Sequence, residues 1–364
     1  MQRKLFFVTR NLSGGGAERV ISNLANYFST NGDDVTLVCL DQAEIKYPIA
    51  PSVKVKSLVN RKDKQNVFLR CYYALMTFVK LLQIIRKEKP DLTISFITSV
   101  NVWTGLCCLL LNKDYIVSER TSPNFSMREL SKLSKWIVFN IYRKAKFVVL
   151  PSKRMLETYY TLRHFKNLKN LTTVYNPINV FTSPSTVAVH PKDFILGVGR
   201  LNNNKRFHLL IDAFNIIKEQ DMDLLISGVG PNKEMLEKQV VDLGLQSRVH
   251  FIGFKKNIQD YYSQAKLFVS TSMIEGYPNA LVEALGIGCP AVATDCEFGP
   301  SEIIENGVNG FLVQLDDRDE LICAMETLLK DEILSSKFSK NAKRINNTNS
   351  IENIAKQWDN LIVS

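Results

Sequence analysis

The 364-residue sequence has only four histidines, and none stands at ligand spacing from another. Nothing in it therefore points to a histidine-held metal centre. Its seven cysteines (39, 71, 107, 108, 289, 296 and 323) include no C-x-x-C pair. Most lie in apolar runs, which suits buried thiols in a reducing compartment better than a zinc site or a disulfide frame. No stretch reaches the ~18–20 apolar residues that span a bilayer. The N-terminal MQRKLFFVTRNLSGGG has too short an apolar core for a signal peptide and reads better as a first strand. No Ser/His/Asp or Cys/His nucleophile arrangement stands out, and there are no repeats. Two D-x-D tripeptides occur. Asp221-Met222-Asp223 precedes its strand and so lies at the wrong sheet edge for a ligand site. Asp317-Arg318-Asp319 reads as a helix cap with acidic first-turn residues. No metal is expected.

What is present is a chain of ordinary globular composition, 45% apolar and 23% charged, long enough for two domains. Short apolar runs alternate with amphipathic stretches throughout, which predicts parallel sheets with crossover helices. The first series of strands is Lys4–Thr9, Val35–Leu40, Val53–Leu58, Leu92–Ile97, Tyr115–Ser118, Phe147–Leu150 and Leu171–Tyr175. Helices are expected over Arg19–Thr30, Phe68–Lys87 and about Arg128–Lys144. Residues Asn176–Lys192 are rich in proline, serine and threonine and read as a linker. The second series is Phe194–Val198, Leu224–Ser227, His250–Ile252, Leu267–Thr271, Ala291–Thr294 and Gly310–Val313, followed by a helical tail. The expected domains are 1–180 and 181–350. Charge is uneven: net +16 over residues 1–180 and −6 over 181–364. A basic first half suggests an anionic partner for that half alone.

The most informative stretch is Leu267–Asp295, LFVSTSMIEGYPNALVEALGIGCPAVATD. It parses as strand, loop with Glu275-Gly276, helix after Pro278-Asn279, and strand. Ligands of doubly wound sheets sit at the carboxyl ends of strands beside helix N-termini, where free N–H groups and the helix dipole favour phosphate. Two glutamates, Glu275 at the loop tip and Glu283 one turn into the helix, can face one crevice. Taken alone they read equally well as solvated carboxylates. Gly199-Arg200-Leu201-Asn202-Asn203-Asn204-Lys205 follows another strand. Its Arg and Lys can converge on one dianionic group, Arg by forked hydrogen bonds and Lys as a point charge. A departing nucleotide diphosphate needs such stabilisation. Two exposed loop cations are the plainer alternative. Ser13-Gly14-Gly15-Gly16 opens the first helix but is no dinucleotide fingerprint, because Arg19 stands where the last Gly should be. It is no Walker A loop either, since no Gly-Lys-Ser/Thr follows.

Together these residues resemble the family 4 retaining glycosyltransferases, whose GT-B fold sets two Rossmann-like domains about a cleft. The resemblance covers nearly the whole chain and is strongest over 194–313. It implies that Glu275 contacts donor-sugar hydroxyls, that Glu283 bonds the ribose, and that amides of Gly276, Asn279, Ala280 and Leu281 hold the diphosphate with Arg200 and Lys205. It implies nucleotide-pocket roles for Gly230 of Ser227-Gly228-Val229-Gly230-Pro231 and for Phe254. Gly15 and Gly16 would face the diphosphate and acceptor. Ser118-Glu119-Arg120 would lie on the acceptor side, with Arg120 where many relatives carry His. The last helix, Ile351–Val363, would cross back to the first domain.

The implied activity is metal-independent, retaining transfer of a hexose or N-acetylhexosamine from a nucleotide-diphosphate sugar, UDP-linked by preference. UDP-GalNAc is among the donors, and the acceptor is a lipid-linked or polysaccharide-precursor glycan, as for bacterial relatives acting on undecaprenyl-diphosphate glycans. A nucleotide-sugar epimerase or hydrolase, or a non-catalytic sugar-binding protein, are the rival readings. Residues 61–89 and 128–146 join cations to aromatics and predict an anionic membrane surface as partner, on the cytoplasmic face. Ordinary half-buried helices are the alternative. Nucleic acid is not expected, since single strands want aromatics on an open sheet.

Overall fold

A computed structural model describes residues 2–60, 66–127, 130–179, 181, 183–217 and 221–364. They divide into two compact units, Met1–Asn179 with Ile351–Ser364, and Val180–Ser350.

In the first unit seven strands pair in parallel. They are β1 (Lys4–Thr9), β2 (Asp34–Asp41), β3 (Lys54–Val59), β4 (Leu92–Phe96), β5 (Tyr115–Ser118), β6 (Phe147–Leu150) and β7 (Leu171–Thr173). Their order is β3-β2-β1-β4-β5-β6-β7, so the winding reverses between β1 and β4. Leu5, Phe6, Phe7 and Val8 of β1 are all buried. That explains an apolar run without alternation, because helices cover both faces of the sheet. The helices are α1 (Gly16–Thr30), α2 (Val67–Glu88), α3 (Thr98–Leu110), α4 (Pro123–Ser126), α5 (Lys132–Lys144) and α6 (Lys153–Thr161).

The second unit has six parallel strands in the order β10-β9-β8-β11-β12-β13. They are β8 (Asp193–Val198), β9 (Met222–Ser227), β10 (Val249–Gly253), β11 (Leu267–Ser270), β12 (Ala291–Thr294) and β13 (Phe311–Val313). Here the reversal falls between β8 and β11. Around the sheet run α7 (Phe207–Ile216), α8 (Lys233–Asp242), α9 (Ile258–Gln264), α10 (Asn279–Ile287), α11 (Pro300–Ile303), α12 (Arg318–Lys330), α13 (Glu332–Ala342) and α14 (Ile345–Asn349). The Asp317 side chain caps α12, accepting from Glu320 N–H at 2.8 Å.

The last helix, α15 (Ile351–Val363), belongs to the first unit. Ile354, Ala355 and Trp358 join the core made by Val20, Ile21, Leu24 and Phe96. The Trp358 ring lies 5.7 Å from that of Phe96, at 26° to it. Arg3 reaches Asp359 at 2.6 Å, and Lys146 Nζ donates to Ile362 O at 3.0 Å.

One element was missed, and the expectation that no apolar stretch is long enough to span a bilayer needs correction. Helix α3 was not foreseen: TSVNVWTGLCCLL is apolar on nearly every side, so it carries no amphipathic period to read. Cys71 and Cys323 are exposed, while the other five thiols are buried. Helix α2 is long and apolar enough to cross a membrane by length and composition, because Arg70 and Lys80 interrupt its apolar residues without lowering their average much. The basic segments expected over 61–89 and 128–146 fall in part on residues 61–65 and 128–129, which lie outside the described residues.

Candidate active site

Parallel pairing of β8 with β11 brings two loops side by side at the carboxyl edge of the second sheet, where its winding reverses. That is where such sheets receive ligands. Backbone and side-chain bonds stitch the loops together. Met273 N–H donates to Asn204 O at 2.8 Å, and Thr271 Oγ1 donates to Lys205 O at 2.9 Å and Arg206 O at 3.1 Å. Lys205 and Glu275 consequently meet, Nζ to Oε1, at 2.5 Å. The side chains are 21% and 11% exposed, so the pair is shielded well beyond an ordinary surface salt bridge. The Lys205 stem runs over Gly199, where a Cβ would stand 3.2 Å from its Cδ. Next to it, the exposed Arg200 makes no side-chain hydrogen bond or ion pair among the described residues.

The turn after β9 locks onto the same loop. Leu201 N–H donates to Val229 O at 3.0 Å, and Gly228 N–H to Gly253 O at 2.9 Å. A Cβ on Gly228, whose φ is +150°, would sit 1.8 Å from Gly199 O. One on Gly230 would sit 2.2 Å from Leu201 O. Only glycine permits this approach. Phe254, half-buried, follows β10 directly.

At the start of α10 one alternative reading falls away. Leu281 N–H donates to Pro278 O at 3.1 Å, closing the first turn. Glu283 is 1% exposed and accepts from Tyr262 OH at 3.3 Å, which removes the reading of it as a solvated helix carboxylate. Gly276 is buried, and Asn279 and Ala280 are half-buried. Cys296, one of the buried thiols, is near the ion pair. Burial pushes its thiol up to about 12, with Glu275 adding to the rise and Lys205 opposing it.

In the first unit the loop after β1 closes on the helix it opens. Gly14 and Gly15 donate their N–H groups to the Glu18 carboxylate at 2.6 and 2.8 Å. Gly16 is the first residue of α1. A carboxylate three residues into the helix thus takes the donors a diphosphate would want.

A second polar centre forms at the ends of β4 and β5. Glu119 is fully buried and accepts from Thr98 Oγ1 at 2.8 Å, Asn101 Nδ2 at 3.3 Å and the Tyr142 hydroxyl. Burial raises its pKa from 4.5 to about 7, against the pull of those bonds and of Arg120. Thr98 and Asn101 come from α3, which is why the sequence did not reveal them. Ile97, just before α3, holds φ at +80°, a costly backbone for a β-branched residue and one that clusters at functional sites. Arg120 donates through Nη1 to Asn176, while its Nε and Nη2 are buried without a hydrogen-bond partner among the described residues. Its guanidinium lies 4.5 Å from the Phe96 ring centroid and 6.0 Å from that of Trp358. Burial lowers its pKa, and Glu119 pushes back.

The family models decide the identity. That for glycosyltransferase family 4 matches residues 14–180, and that for glycosyl transferases group 1 matches residues 181–345. The chain belongs to this glycosyltransferase family and has the GT-B fold. Among relatives of this glycosyltransferase, a Campylobacter jejuni N-acetylgalactosamine-N,N'-diacetylbacillosaminyl-diphospho-undecaprenol 4-alpha-N-acetylgalactosaminyltransferase is 28% identical, over 94% of both chains. The amylovoran biosynthesis glycosyltransferase AmsD of Erwinia amylovora is 27% identical, over the full length of both. The solved structure of Anabaena HepE in complex with UDP and glucose superposes with a TM-score of 0.81 at 20% identity, covering both chains fully.

Because the buried Glu119 holds its proton more tightly than in the unfolded chain, folding takes up a proton between its two pKa values. Its contribution to stability is full below pH 4.5 and is lost as pH rises through about 7. Urea midpoints of the glycosyltransferase at about pH 5 and about pH 8 should show this loss, and Glu119→Gln should flatten that component.

Proposed function

We propose that this glycosyltransferase moves a hexose or N-acetylhexosamine from a UDP-sugar, with UDP-GalNAc the first donor to test, to a lipid-linked or polysaccharide-precursor glycan. Transfer proceeds with retention at the anomeric carbon and without a metal. The observation that carries the reading is the Lys205–Glu275 pair at the carboxyl edge of β8 and β11. The cations Arg200 and Lys205 meet the diphosphate, which is the task a metal would otherwise perform. Glu275, held by Lys205, orients the sugar hydroxyls. The acceptor hydroxyl attacks the anomeric carbon on the face that the diphosphate leaves. Its oxygen forms the new glycosidic bond, the bond from carbon to phosphate oxygen breaks, and the hydroxyl proton passes to that phosphate oxygen. Products are the extended glycan and UDP.

Two comparisons support the substrate classes. HepE was solved with UDP and with UDP-glucose. Two Campylobacter relatives are named as N-acetylgalactosaminyltransferases of undecaprenol diphosphate-linked glycans. Glu119 and Arg120 are assigned to the acceptor side, where the buried guanidinium donors Nε and Nη2 suit an anionic oxygen.

A membrane surface fits the first unit. Phe68, Tyr72, Leu75 and Val79 are exposed at steps of four, three and four along α2, which puts them on one face. Phe68 is 85% exposed, and on α5 Trp136 is 62% exposed beside Lys132 and Lys135. Both helices pack on α3. Exposed aromatics flanked by cations are the composition of a helix lying on an anionic bilayer, and Arg70, Arg86 and Lys87 on α2 favour lying on it over crossing it.

UDP release, measured over UDP-, GDP- and ADP-sugars with and without a polyprenyl-diphosphate glycan, tests the activity. Release from a UDP-sugar should require the acceptor, and Glu275→Ala should lower kcat by about 100-fold or more. Release that ignores the acceptor would make the protein a hydrolase, and a fully active Glu275→Ala enzyme would remove that residue from the chemistry. In a separate flotation assay, the protein should bind anionic liposomes and lose binding as salt rises. Equal binding to neutral vesicles would contradict the electrostatic part of the reading.

A further inference from the structure

Folding brings together two of the histidines that the sequence keeps far apart. His190 lies in the segment leading into β8, Asp223 at the amino end of β9 and His250 at the amino end of β10. They gather at the sheet edge opposite the one that carries Lys205 and Glu275. His190 Nε2 stands 2.6 Å, and His250 Nε2 3.1 Å, from the same oxygen, Asp223 Oδ2. One donor atom from each residue lies within 4.8 Å of the other two. The two imidazole centroids are 5.3 Å apart, and the edge of the Phe194 ring packs on His190.

The carboxylate is the unusual member. Asp223 is 5% exposed and directs both imidazoles to one oxygen, while its other oxygen, Oδ1, is buried without a hydrogen-bond partner among the described residues. Lys192 Nζ stands 4.0 Å from it. Buried carboxylate oxygens are nearly always satisfied, so this one calls for an occupant. Zinc binds imidazole nitrogen at about 2.0–2.1 Å and carboxylate oxygen at about 2.0–2.2 Å, which puts ligand atoms roughly 3 Å apart. The observed separations from Oδ2, 2.6 and 3.1 Å, are close to that spacing.

We propose that His190, Asp223 and His250 form a binding site for a divalent transition-metal ion of the zinc class. Neutral imidazoles carry their proton on Nδ1 in the bound state and offer the Nε2 lone pair. Asp223 Oδ1 or a water completes the coordination. The ion ties the segment before β8 to the amino ends of β9 and β10. It is structural, and the transfer reaction at the opposite sheet edge proceeds without it.

The test uses the full chain, free of affinity tags, reduced and stripped with chelator. Titration with Co2+ should show one saturating equivalent with the visible bands of a four-coordinate ion, displaced by Zn2+, and Zn2+ should raise the Tm. In His190→Gln/His250→Gln the amides can still donate to Asp223, so the fold is kept while Co2+ affinity falls by about tenfold or more. X-ray absorption at the zinc edge of the wild-type protein should show imidazole ligands and no sulfur, and this readout needs no variant. The absence of saturable binding, binding undiminished in the double variant, or sulfur ligation by the exposed Cys71 or Cys323 would each overturn the proposal.

Discussion

A lysine and a glutamate seventy positions apart share one half-buried ion pair, and the second unit is built to make them meet. Nothing local in the chain could do so. The parallel pairing of β8 with β11 sets their outgoing loops side by side, and Thr271 and Met273 bind one loop to the other. Gly228 and Gly230 then let a third loop close against the first at distances no side chain would tolerate. The pair has a chemical consequence as well. Removing either partner would leave a partly shielded charge uncompensated, which costs far more than losing a surface ion pair. The proposed diphosphate site thus holds one cation paired, Lys205, and one exposed, Arg200.

The first unit solves a different electrostatic problem. Glu119 and Arg120 are adjacent, the first buried and the second half-buried, and each finds its hydrogen-bond partners elsewhere. Glu119 is satisfied by three side-chain donors and still titrates near neutrality, because loss of hydration outweighs those bonds. Arg120 lies near the stacked rings of Phe96 and Trp358, the latter supplied by a helix from the far end of the sequence. The position of α15 therefore bears on both the core and the polar centre of this unit.

Much of this was legible from the sequence. The strands were readable because parallel sheets demand short, continuous apolar runs, and the runs from Lys4 and Leu267 are of that kind. The Arg200–Lys205 and Glu275 motifs were readable because each follows such a strand. What remained hidden had physical reasons. Helix α3 is apolar on nearly every side, so neither it nor its Thr98 and Asn101 could be placed. The burial of Glu283 depends on Tyr262 of a neighbouring helix, and spacing along the chain is blind to that. The capture of the Gly14 and Gly15 amides by Glu18 turns a loop that looks anion-binding into a self-capped helix start. His190, Asp223 and His250 come from three separate segments and share no sequence pattern at all.

The central claim is that the second unit meets the diphosphate with the cations at the ends of β8 and β11. Calorimetric binding of UDP, compared with uridine, tests it most directly. The account predicts that UDP binds far more tightly than uridine, and that Lys205→Met together with Arg200→Ala removes most of that difference, at least about 3 kcal/mol, while leaving uridine affinity nearly unchanged. A double variant that still binds UDP as tightly as the wild type would contradict it.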